Sequence, residues 1–92
     1  MSAKLKGEMT MKHEIKIAMN DKYRMIEKSL RFADRLGFEK PYDYYAERLR
    51  DILGGMVTGL CYATNVNYDD WAEILSYSNL LVDRFRTRYP EK

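Results

Sequence analysis

Residues 41–64 read PYDYYAERLRDILGGMVTGLCYAT, and the fold turns on how this stretch is interpreted. At about 100° per residue, Tyr42, Tyr45, Ala46, Leu49, Ile52, Leu53, Met56, Leu60 and Ala63 fall on one face. Apolar residues at that spacing mark a helix with one buried stripe. Pro41 suits the first helical turn, where its missing N–H is not needed. The opposite face changes character midway. It carries Glu47, Arg48, Arg50 and Asp51, and then reads Gly54, Gly55, Thr58, Cys61 and Tyr62.

The neighbouring segments repeat the pattern. Before the stretch, Ile15, Met19, Tyr23, Ile26, Leu30 and Ala33 recur at spacings of 4, 4, 3, 4 and 3. Ala18, Met25, Phe32 and Leu36 sit beside this line and are expected to widen it, and Gly37 is a good helix stop. After the stretch, Asn67 is a candidate N-cap, with Asp69 and Asp70 in the first turn. Trp71, Ile74, Leu75, Ser78, Leu81, Val82, Phe85 and Tyr89 form a third stripe, closed by Pro90. The expected fold is all-α: one domain over 1–92, an up-down-up three-helix bundle with helices near 12–36, 41–64 and 68–89, open to completion by oligomerisation. Residues 1–11 are expected to be frayed. A rival reading makes the alternating Met11, His13, Ile15, Ile17 and Met19 a strand, but a lone strand has no partner in this chain.

Composition narrows the class. The 92 residues hold 16 Lys and Arg against 14 Asp and Glu, for a net charge of +2. The charge is uneven: residues 1–37 carry nine basic and five acidic side chains, so the excess lies on the first helix. One Cys allows no intrachain disulfide, and one Cys with one His makes no Cys/His zinc site within a chain. With no apolar signal region after the basic start, a cytoplasmic location is expected. The longest charge-free run, Ile52 to Tyr68, has 17 residues with Gly, Thr and Asn among them, against about 20 apolar residues for a membrane span. Lys6-Gly7-Glu8 must be encoded AAR-GGN-GAR, which can spell a purine-rich ribosome-binding sequence ahead of Met11. A prokaryotic or phage gene whose product starts at Met11 is therefore one expectation.

Chemistry is sparse. Cys61 lies in an apolar helix, which suits an inert buried thiol, and His13 lies in the terminal segment. Asp69, Asp70 and Glu73 gather at a helix start, where capping accounts for them. Gly54-Gly55 follows a helical pattern and not a strand, so it is no phosphate loop. No enzyme activity and no cofactor are expected. Arg84, Arg86 and Arg88 favour a helix C-terminus, and their angles diverge too far to make one nucleic-acid face.

The flank of the middle helix stands out. Gly55, Gly59 and Ala63 recur every four residues, as do Gly54 and Thr58. Each interior glycine costs about 0.8–1 kcal/mol relative to Ala. Three explanations compete: a break at Gly54-Gly55, close packing against the first or third helix, or contact with another molecule. Ile17 and Leu80 lie off their core lines, and Tyr44, Tyr62 and Tyr77 lie at the margins. The leading expectation is a small non-enzymatic interaction protein, an inhibitor or adaptor, that is a homo-oligomer and binds a protein partner. Its contact residues would be Tyr44, Gly55, Thr58, Gly59, Tyr62, Ala63 and Leu80. The alternative is an anion binder taking nucleic acid or a nucleotide on Lys16, Arg24, Lys28, Arg31 and Arg35.

Overall fold

The computed structural model describes residues 3–38, 40–63 and 66–90, with side-chain surroundings outside 3–11 and 61–63. Three helices pack against one another: α1 (Ala3–Leu36), α2 (Tyr42–Ala63) and α3 (Tyr68–Arg88). The described residues contain no strand, and Met11–Met19 lies within α1. No helix among them is long and apolar enough to cross a membrane. At 1.5 Å per residue the 34 residues of α1 span about 51 Å, which accounts for the 52 Å long axis of the molecule.

Three boundaries differ from the sequence reading. α1 begins at Ala3 and not at Lys12, so the backbone of 3–11 is helical where fraying was expected. Gly7 and Thr10 are the only weak helix formers in that segment; the rest is Ala, Lys, Leu, Glu and Met. Pro41 stands just outside α2, with its carbonyl accepting from the Tyr44 amide at 3.0 Å. Tyr89 is the C-cap of α3, its amide donating to the Phe85 carbonyl at 2.9 Å.

The helix ends are chemically specified. Gly37 has φ +79°, a conformation that costs a side-chain-bearing residue dearly. The Gly37 amide donates to the Asp34 carbonyl (3.2 Å) and the Phe38 amide to the Ala33 carbonyl (2.9 Å), the paired bonds of a Schellman stop. Asn67 caps α3, its side-chain oxygen accepting from the Asp70 amide at 2.9 Å.

The stripes meet in one core. Met19, Tyr23, Ile26 and Leu30 come from α1, and Tyr45, Ala46, Leu49, Leu53 and Val57 from α2. Ile74, Leu81, Val82 and Phe85 complete it from α3, with Ser78 buried among them. Tyr23 meets Phe85 edge to face at 5.6 Å. Of the four residues expected to widen the α1 stripe, only Ala18 is half-buried. Met25, Phe32 and Leu36 are 42%, 59% and 54% exposed. They lie roughly 80–120° round α1 from Ile26, outside the arc that two neighbouring helices can cover.

Polar pairs set the direction of α1 against α3. Lys16 reaches Glu73 at 2.8 Å, Asn20 donates to the Tyr77 hydroxyl at 2.6 Å, and Arg31 reaches the Tyr89 hydroxyl at 3.4 Å. Their separations in sequence are 57, 57 and 58, so the two helices run parallel in one register. α2 runs the other way between them, and Arg86 of α3 holds both Asp43 and Glu47 of its first turns.

Candidate interaction faces

α2 runs unbroken through Gly54 and Gly55, so the helix-break explanation of its glycines fails. The packing explanation fails as well. A Cβ placed on Gly54, Gly55 or Gly59 meets nothing within 4 Å. Gly55, Thr58 and Gly59 are exposed, and Gly54 is half-buried. The glycine row therefore does no work inside the subunit.

The predicted contact residues divide. Tyr44, Gly55, Thr58 and Gly59 are exposed on α2. The Tyr44 ring stands edge-on to Tyr45 at 5.2 Å, and the Lys40 ammonium lies 4.2 Å from its centroid. Lys40, through a hydrogen bond and its charge, holds the Tyr44 phenol below its ordinary pKa. Tyr62 and Ala63 lie outside the described side chains. Leu80 is 49% exposed but is turned about 120° round α3 from Arg86, the residue that ties α3 to α2. It belongs to a different face.

A second feature was not read as exposed from the sequence. Lys16, Asn20, Glu27 and Arg31 define the edge of α1 that meets α3. Met25, Phe32 and Leu36 lie roughly 100–180° from those residues, on the side turned away from α3. Gly59 likewise lies about 120–160° round α2 from Asp43 and Glu47, which meet α3. The exposed apolar row of α1 and Gly55 and Gly59 of α2 thus open on the same side of the bundle, whereas Gly54 and Thr58 lie within about 20° of Glu47, toward α3. Ile17 and Phe38 are exposed too, at 47% and 62%, but Ile17 lies about 40–60° from Arg31 and Asn20, nearer the α3 edge, and Phe38 follows the helix stop.

The five basic candidates are not one group. Lys16 pairs with Glu73 at 2.8 Å and stands 5.4 Å from the Tyr77 centroid, while Lys12 bridges Asp70 (3.1 Å) and Glu73 (3.6 Å). These lysines hold the Glu73 carboxyl below its usual pKa, the Lys16 hydrogen bond leading. Arg24 lies 3.6 Å from Asp21 on the open surface. Arg31 faces the Tyr89 hydroxyl and Glu27. Glu27 also accepts from the Tyr89 hydroxyl at 2.6 Å and pairs with Arg88 at 3.0 Å. Lys28 and Arg35 have no carboxylate within ion-pair reach among the described residues. With Arg31, Met25, Ser29 and Phe32 they line an open hollow of about 530 Å³ along α1.

Other chemistry is absorbed by the fold. Of the three C-terminal arginines, Arg86 is given to α2 and Arg88 to Glu27 of α1. The acids Asp70 and Glu73 serve α1 as well as the start of α3. Among the described residues no group of His, Cys, Asp and Glu is placed to hold a metal. Among the described residues two buried polar atoms make no hydrogen bond, the Tyr23 hydroxyl, which has the Arg88 guanidinium near it, and the Trp71 indole nitrogen. No family model matches this chain, and no curated protein or solved structure matches it.

Proposed function

We propose that this chain is a non-enzymatic helical interaction protein, an inhibitor or adaptor in character, that associates with itself and binds a protein partner on the side formed by α1 and α2. The observation that carries this reading is the exposure of Met25, Phe32 and Leu36 together on the margin turned from α3. Single exposed apolar residues are ordinary, whereas a grouped set of this size is the usual mark of a contact surface. Gly55 and Gly59 of α2 support it. Those residues cost helix stability and leave open space where another backbone can approach closely.

The test uses Phe32→Glu on α1 and Gly59→Leu on α2. Both positions are exposed, so helicity by circular dichroism is expected to hold. Light scattering is expected to give the wild type a mass above the 11.0 kDa of one chain and the variants a lower one. Capture with immobilised protein should show the same loss. Variants that match the wild type in both assays refute the reading.

A second reading is an anion binder, favoured by Lys28 and Arg35, which have no ion-pair partner among the described residues, beside Arg31 on one hollow. It rests on two of its five expected residues, since Lys16 is tied to α3, Arg24 to Asp21, and Arg31 to Glu27 and Tyr89. Binding to a nucleic acid would weaken steeply as salt rises. Apolar protein contact would not.

A further inference from the structure

We propose that α1 pairs antiparallel with the α1 of a second copy, about a two-fold axis level with Arg24 and Met25. The inference rests on the reading of this side as a self-association surface, and it names the helix, the orientation and the register.

Four exposed charged residues of α1 stand exactly seven apart: Glu14, Asp21, Lys28 and Arg35. A straight helix drifts about 20° per seven residues, so the four share an arc of about 60°. Their order is acid, acid, base, base. Two such rows laid antiparallel are complementary along their whole length. Glu14 of one copy faces Arg35 of the other, and Asp21 faces Lys28, each pair occurring twice. The paired numbers total 49 in both cases.

The same register covers three of the exposed apolar side chains of α1. It sets Ile17 of one copy level with Phe32 of the other, and these are 47% and 59% exposed in the single subunit. It sets Met25, 42% exposed, level with Arg24, whose hydrocarbon stem can cover it. Among the described residues no other element occupies this row. Lys28 and Arg35 have no partner among the described carboxylates, and Asp21 has only Arg24 at 3.6 Å, both with side chains more than 60% exposed. A parallel pairing would set Glu14 on Glu14 and Lys28 on Lys28. A closed two-fold dimer admits either direction, so it is the order of the charges that selects the antiparallel one.

The experiment is sedimentation velocity of the full chain over a concentration series at about 50 mM salt, where surface charge pairs are weakly screened. The wild type should dimerise. Lys28→Glu places like charges opposite each other twice per dimer and should weaken association about tenfold. Adding Asp21→Lys to the same chain restores opposite charges only in the antiparallel register, and should return affinity to within about threefold of the wild type. A dimer indifferent to Lys28→Glu, or one that the charge swap fails to rescue, overturns the proposal. So does a wild type that stays monomeric at every concentration. Gly59→Leu in the same assay separates the two levels. Loss of the dimer there, with none in Lys28→Glu, overturns the α1 pairing and leaves self-association through α2 standing.

Discussion

Replacing Gly54, Gly55 and Gly59 by Ala should make the isolated subunit more stable, and substantially so. Each added Cβ enters open space, with nothing within 4 Å to displace. None of the three has the positive φ that would penalise a side chain; Gly37 is the glycine that does. The gain is then the helix propensity difference, about 0.8–1 kcal/mol per site, which comes to about 2.5–3 kcal/mol if the sites add. For a domain of this size each kcal/mol moves Tm by about 4–8 °C, so the triple variant should melt about 10–20 °C higher. Urea denaturation followed by circular dichroism, at protein concentrations where light scattering gives a single subunit, measures it. The singles matter as much as the triple, because Gly54 is half-buried and is the most demanding case. A loss of stability in any one of them, in the monomer, refutes the reasoning. It would mean that a side chain there meets its own chain.

Three further outcomes follow from named groups. Tyr23→Phe removes a buried hydroxyl that makes no hydrogen bond among the described residues and keeps the edge contact with Phe85, so urea unfolding should show no loss and a gain of up to about 1 kcal/mol. Asn67→Ala removes the acceptor for the Asp70 amide and should cost about 1 kcal/mol by the same method. The Glu73 carboxyl is held below its ordinary 4.5 by Lys16 and Lys12. Its contribution is therefore fully present above pH 4.5 and lost as the pH falls through the lower, folded-state value. Thermal melts of Glu73→Gln between pH 7 and 3 should fall less steeply than the wild type. Equal slopes would show that the pairs with the lysines contribute nothing.

The fold was legible because each helix announces itself twice, once by its stripe and once by its ends. The line from Ile15 to Ala33 sits on or against the core, Asn67 caps, and Gly37 stops. The exposure of Met25, Phe32 and Leu36 was not legible, since periodicity gives the direction of a residue but not how wide an arc its neighbours cover. Nor was the division of Arg86 and Arg88 between α2 and α1, because one helix's angles do not say which acids stand across from it. The two intramolecular explanations of the α2 glycines could be separated from an open flank only with the backbone in place. The four-residue charge row of α1 was present in the sequence throughout. It acquires meaning only once that side of the helix is known to be bare.

The constant sequence separation between α1 and α3 has a mechanical consequence. An apolar stripe repeats every three or four residues, so two stripes alone would tolerate sliding by one turn, about 5.4 Å. The bonds from Lys16 to Glu73, Asn20 to Tyr77 and Arg31 to Tyr89 break together under such a slide. They act as notches that admit a single alignment of two otherwise slippery rods. Cutting away one notch should therefore loosen the alignment far less than cutting all three.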